Sequence, residues 1–336
     1  MDDRMDIMED QQDQVSWREP EYDRNLAENQ AKKEGRRTFG RIGMAFAVFL
    51  GVTMIVQLGV SGLFYLEFIP PQFATANTSV LLSMASMYLV AFPIFWLLMK
   101  RIPKVERVEQ NKWSFPALAV VFLICMATIY IGNLIGQLLM FIVSLITGEP
   151  MVNNLQDMIL NMDLPVLFLF TVIVAPVMEE LMYRKLLIDR VRQYGEGICV
   201  MLSGLLFGLA HGNFYQFFYA FALGAIFAYL YLKSGNIRYT IVFHMIINFI
   251  GGIFPMLLLR LMKRHIFLGS LMTITFGLFV LGFLGVGIAL FIMNRKKIHL
   301  EPGQLWLPKG SRFRTVVLNV GMILYFLLSI AMFVIS

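Results

Sequence analysis

Charge is scarce in this chain, and acidic charge is scarcest of all beyond the first 41 residues. Only 15% of the 336 residues are charged, against roughly a quarter in ordinary soluble domains. Hydrophobic residues make up 58%, and the mean hydropathy is +0.70. A water-soluble fold is thereby excluded, and the chain reads as a polytopic membrane protein. Eleven of the 22 acidic residues fall between Asp2 and Glu34, leaving eleven acids against twenty bases from Ile42 onward. Those bases are scattered between apolar segments rather than gathered on a stripe, which argues against a nucleic-acid partner and for loops held on the cytoplasmic side. Cysteine is almost lacking: Cys125 and Cys199 both lie in apolar segments, which excludes a disulfide framework. Met1–Arg41 has no apolar core of signal-peptide length, so the first span is expected to serve as an uncleaved insertion signal.

What the chain has is a series of apolar runs. Residues 1–41 form a polar, acid-rich and then basic cytosolic tail, expected to be disordered or loosely helical. Residues 43–146 carry three spans, roughly Gly43–Leu66, Thr78–Met99 and Phe115–Ile146. Four more follow in the central region 164–252 and just beyond it: Leu164–Asp189, Gly197–Gly212, Phe214–Leu232 and Tyr239–Leu259. The C-terminal part, 253–336, adds Leu268–Met293 and Thr315–Ile335. The expected fold is an all-α transmembrane bundle of about nine spans, eight to ten, with a cytoplasmic N-terminus. Arg260, Lys263, Arg264 and His265 fall outside on this count and are its one break in charge asymmetry. Gly204, Gly208, Ala220, Gly224 and Ala228 give the fifth and sixth segments the small-residue spacing of close helix contact.

Two adjacent glutamates, Glu179 and Glu180, sit in the fourth span. A carboxylate near the bilayer centre costs about 2.5–3.5 kcal/mol on insertion scales, so an acidic pair there points to a functional site. Neighbouring helical residues diverge by about 100°, so the two cannot serve one spot equally. Glu180 is spaced i,i+4 before Arg184, the favoured order for an intrahelical ion pair. Glu179 has Tyr183 at that spacing and is left free for chemistry.

Of the four histidines, His265 and His299 lie in basic polar stretches, while His211 and His244 lie in apolar segments. His244 and Asn248 share a helix face at i,i+4. Polar groups in three spans avoid lipid by turning inward toward one another. A glutamate with a histidine can activate water for amide hydrolysis, and a histidine with an asparagine can donate to the oxyanion that results. Alternatively, Glu179, His211 and His244 form a two-histidine, one-carboxylate set suited to Zn²⁺ with an open position. The helical His-Glu-x-x-His motif is absent, and the residues leave the metal and metal-free versions both open.

Glu179-Glu180-Leu-Met-Tyr-Arg184, Phe207-Gly-Leu-Ala-His211 and His244-Met-Ile-Ile-Asn248, in that order and in separate spans, resemble the CPBP intramembrane proteases. These are the CAAX-prenyl endopeptidases and their bacterial relatives in bacteriocin processing and self-immunity, also called the Abi family. The resemblance covers 164–252, the expected catalytic core. It implies an endopeptidase acting on a membrane-associated peptide or protein. In that pattern Glu179 and His211 activate water, His244 and Asn248 stabilise the oxyanion, and Glu180 and Arg184 support. No cofactor is required in the glutamate mechanism; Zn²⁺ is the alternative. The expected setting is the bacterial cytoplasmic membrane, with the cavity facing the cytoplasm. A non-proteolytic scaffold or bacteriocin-immunity protein of the same fold is the second reading. A proton-coupled transporter ranks last, because no corresponding pair of broken segments is evident.

Depth sets a condition. His211 lies ~21 Å along its helix from Gly197, whereas His244 lies only ~8 Å from Tyr239. The four residues can be level only if the fourth and fifth helices extend beyond the membrane on the cytoplasmic side, and they should then surround one inward-opening cavity.

Overall fold

The computed structural model describes residues 3–105, 110–149, 161–305 and 307–335. Among these, extended pairing is limited to an isolated bridge between Gly195 and Pro302, and the architecture is helical throughout. The helices are α1 (Asp3–Tyr65), α2 (Ala76–Lys100), α3 (Phe115–Thr147), α4 (Leu164–Tyr194) and α5 (Glu196–Ala210). They continue as α6 (Phe214–Ser234), α7 (Ile237–Arg264), α8 (Ile266–Lys297), α9 (Lys309–Val316) and α10 (Val320–Ile335). Seven are long and apolar enough to cross a bilayer, or eight if α9 and α10 count as one span bent by 64°.

Every expected apolar segment is helical, with three differences of detail. The fifth, α5, has only 15 residues and falls short of a full crossing. The last is broken because Asn319 caps α10, its Oδ1 accepting from Met322 N at 3.0 Å, so the chain turns before entering the apolar stretch. The first begins within a longer helix: α1 is continuous through residue 41, and Phe39 is fully buried against Tyr194, ring centroids 4.9 Å apart. The helix therefore extends beyond the apolar run because one face finds packing partners.

Proline shapes three of the spans. Pro93, Pro176 and Pro255 each follow a widened π turn, at Ser86–Ala91, Phe168–Val174 and Phe249–Ile253. In each case the residue just before the proline donates five residues back: Phe92 to Met87, Ala175 to Phe170 and Phe254 to Phe249. The proline ring lacks an N–H and crowds the carbonyl four residues earlier, and a wider turn relieves that crowding without ending the helix. A fourth π turn, Leu181–Leu186, has no proline after it and begins directly after Glu180.

The basic loops meet at one end. Arg190 Nε donates to Met99 O at 2.7 Å, Val105 N to Asp189 O at 2.9 Å, and Leu305 N to Gln193 O at 2.8 Å. Lys233 bridges Glu196 (2.7 Å) and Glu301 (3.0 Å) there. Gly195, at φ 108°, makes the tight reversal from α4 to α5 and approaches the 301–303 backbone, where a Cβ would lie 3.0 Å from Gly303 N. At the opposite end Asn77 pairs with Asp163, and Arg260 Nη2 donates to Met162 O at 2.7 Å. The charge-rule exception thus sits at the far end, as counted, with Arg260 held by a backbone carbonyl.

α5 and α6 pack closely. A Cβ on Gly204 would lie 2.7 Å from Phe221 O, and one on Gly224 would lie 2.9 Å from Gly204 Cα. Antiparallel α4 and α7 are tied by Thr171 with Asn248 and Glu180 with His244, and Met162, just before α4, takes Arg260.

Candidate active site

The site grows from α4. Glu180 is wholly shut from solvent, as is Arg184 one turn on, with Glu180 Oε2 3.0 Å from Arg184 Nε. The distance is that of an ion pair, although the atoms are not aligned as a hydrogen bond. The guanidinium lies over the faces of Phe207 and Phe227, 4.7 and 5.4 Å from their centroids. Two aromatic faces and one carboxylate thus stabilise the buried cation.

The other oxygen of Glu180 has a second task. Its Oε1 lies 3.0 Å from His244 Nδ1, and the Nε2 of the same ring lies 3.6 Å from Glu179 Oε2. Glu180 is therefore more than the helix-end anchor that its spacing to Arg184 suggests: it sets the orientation of His244. The two glutamates diverge on their helix, and the two nitrogens of one imidazole diverge to meet them. Glu179 keeps 21% of its side chain exposed, while Glu180 has none. With His244 protonated, Glu179, Glu180, Arg184 and His244 carry no net charge as a group, the arrangement that costs least in a poorly solvated interior.

His211 terminates α5. Its Nδ1 lies 2.8 Å from Phe207 O, and because a carbonyl can only accept, Nδ1 carries the hydrogen. The neutral ring then keeps an Nε2 lone pair for a proton. Phe207 separates the two histidines, its ring nearly perpendicular to both, with centroids 4.9 Å from His211 and 5.7 Å from His244. His211 is within Coulombic range of Glu179 and of His244.

Asn248 is placed one turn beyond His244 and half-buried. Its Nδ2 donates to Thr171 O at 2.8 Å, which fixes the amide and leaves one N–H and the carbonyl oxygen uncommitted. The structure thus brings Glu179, Glu180, Arg184 and His244 into direct contact, joins His211 through Phe207, and holds Asn248 on α4.

The α4–α5 hairpin sets Glu179 and His211 level with one another. Glu179 precedes the end of α4 by as many residues as His211 follows the start of α5, ~22 Å in each case. Ser203 Oγ donates to Tyr183 O at 3.0 Å and keeps that register. Neither of two wide grooves near α9 and the start of α10 touches these residues. As for zinc, among the described residues no three His, Cys, Asp or Glu side chains are arranged to hold a metal ion. His211 and His244 each keep Nε2 beyond their Nδ1 contacts, but with Glu179 they are not gathered into a three-ligand set as they stand.

One residue of this neighbourhood lies outside the motifs. Tyr88, on the π turn of α2, is 8% exposed, its hydroxyl is buried without a hydrogen-bond partner, and it lies within Coulombic range of Glu179. A tyrosine in an apolar run carries no sequence signal that separates it from packing.

Residues 161–250 match the family described as type II CAAX prenyl endopeptidase Rce1-like. The chain is also 26% identical over 125 residues to the membrane-embedded CAAX protease MroQ of Staphylococcus aureus (strain USA300). That similarity covers 35% of this chain and 51% of the relative, so it spans about half the length of the curated protein it matches. No solved structure matches. Glu179, His211, His244 and Asn248 all fall inside the matched segment.

Proposed function

We propose that this chain, which belongs to the CPBP family by its segment 161–250, is an intramembrane endopeptidase that cleaves a membrane-associated peptide or protein. The observation that carries the reading is His244 set between two carboxylates, 3.0 Å from buried Glu180 and 3.6 Å from the partly exposed Glu179. A structural ion pair requires only Glu180 and Arg184. The exposed second carboxylate and the free Nε2 of His211 are additional, and they supply what peptide hydrolysis requires.

In this mechanism a water beside Glu179 and His211 gives up a proton to Glu179 as its oxygen adds to the scissile carbonyl carbon. The carbonyl oxygen becomes negative and accepts from His244 Nε2–H and from the uncommitted N–H of Asn248. Collapse breaks the C–N bond, and the proton passes to the leaving nitrogen, giving a carboxylate and an amine. With both ring nitrogens carrying hydrogen, His244 gives Nδ1–H to Glu180 and keeps Nε2–H as the donor that faces the reaction. Residues 164–252 form the catalytic unit, and the spans in 43–146 and 253–336 are its membrane setting. The site opens toward the cytoplasm, because the basic loops gather at the end where α4 turns back into α5.

The test is cleavage of candidate membrane peptides by the purified full chain, with mass spectrometry identifying the bond cut. Glu179→Ala and His211→Ala are each expected to abolish cleavage, and a chelator is expected to leave it unchanged. Cleavage unaffected by both substitutions removes the assignment, and loss with chelator that zinc restores moves the reaction onto a metal.

A further inference from the structure

A groove of about 940 Å³ lies near the basic end of the bundle, between α5, α6 and α9. Its α5 wall is Ile198, Met201, Leu202 and Leu205, one face at i, i+3, i+4 and i+7. The active-site side of α5 is the stripe Ser203, Phe207 and His211, offset by two residues, or about 200°. The groove is therefore on the opposite face of α5 from the reaction. From Gly197 to Leu205 it runs ~12 Å along the helix, longer than any single side chain and suited to an extended alkyl chain. Met201 is 58% exposed, so the groove is open on its outer side, at the basic end of the bundle.

Two charged residues line it. Glu301 is already paired with Lys233 at 3.0 Å. Arg312 donates Nε to Leu307 O at 2.9 Å and, among the described residues, forms no ion pair, so its terminal nitrogens remain for an anion. Exposed Lys309 and Arg314 flank it on α9. An extended peptide would bury backbone N–H and C=O groups against this largely apolar wall, where they lack partners, whereas an alkyl chain has none to satisfy.

We propose that this groove is a binding site for an anionic membrane phospholipid, with one acyl chain along α5 and the phosphate on Arg312. The basic end of the bundle is the end that faces an anionic leaflet under the positive-inside rule. The site is separate from the catalytic residues and does not depend on what they do.

The experiment reconstitutes the full chain in phosphatidylcholine vesicles containing a trace of phosphatidylglycerol with a photoreactive group at the acyl terminus. Labelled peptides are mapped after irradiation. Label is expected to concentrate on Met201–Leu205 and Phe217–Phe221 and to be displaced by unlabelled phosphatidylglycerol but not by phosphatidylcholine. Arg312→Gln is expected to lower labelling roughly fivefold, with Arg312→Lys restoring most of it. Met201→Trp, which fills the groove without touching Arg312, is expected to abolish labelling there in a protein that still elutes as a single folded species. Label spread evenly over the apolar belt, or unchanged in both Arg312→Gln and Met201→Trp, overturns the proposal. Displacement by a cleavable peptide instead of by phospholipid also overturns it and makes the groove a substrate site.

Discussion

His244 Nδ1 lies 3.0 Å from Glu180 Oε1, in a place where both side chains are almost wholly closed to solvent. Glu180 thereby has two obligations, the ion pair with Arg184 on its own helix and the orientation of a ring on α7. Neighbouring Glu179 needs neither, and that division underlies the predictions below.

Replacing Glu180 by Gln should cost both stability and turnover. It leaves the Arg184 guanidinium buried without its carboxylate, a loss of about 3–5 kcal/mol for breaking one side of a buried pair. Glu180→Gln with Arg184→Met should regain much of the stability, visible as a recovered thermal unfolding midpoint in detergent, while cleavage stays low because His244 is no longer oriented.

Tyr88→Phe removes only the unpartnered hydroxyl near Glu179. Stability should be unchanged or slightly higher, since no hydrogen bond within the protein is lost. If the phenol assists substrate or water beside Glu179, kcat should fall about tenfold, roughly 1.4 kcal/mol of barrier. Unaltered kcat would make Tyr88 a packing residue.

Asn248→Ala should separate two effects. Loss of the bond to Thr171 O should lower stability by about 1 kcal/mol, read in the same unfolding assay. Loss of an oxyanion donor should lower kcat by roughly 10²–10³ with little change in KM.

Gly204→Val tests the helix contact on which the site geometry rests. Its Cβ would sit 2.7 Å from Phe221 O, a backbone atom that cannot yield without moving α6. The variant should lose folded yield and protease resistance, whereas Gly251→Ala, where nothing lies within 4 Å, should behave as wild type.

Much of this was legible in the sequence because membranes enforce simple rules. The apolar runs mark the helices, and the cost of charge in lipid singles out Glu179, Glu180, His211 and His244 before any coordinates are seen. The i,i+4 spacing of Glu180 and Arg184 correctly gives their ion pair. The same spacing says nothing of Glu180 and His244, 64 residues apart, whose meeting depends on the packing of α4 against α7. Spacing likewise puts Asn248 on the face of His244 but is silent about Thr171 O, which takes one of its hydrogens. The break in the last span escapes a hydropathy reading because the stretch is apolar enough; Asn319 caps α10 through local backbone geometry. Tyr88 is hidden for another reason, since aromatic residues are ordinary in apolar spans and only neighbours reveal a role.

The most direct test of the central claim compares wild type with Glu179→Gln in vesicles, using a peptide that the wild-type protein cleaves and measuring binding and single-turnover cleavage separately. Glu179 as the general base predicts unchanged peptide affinity and a cleavage rate lower by roughly 10²–10⁴. A Glu179→Gln protein that cleaves within twofold of wild type would contradict the account.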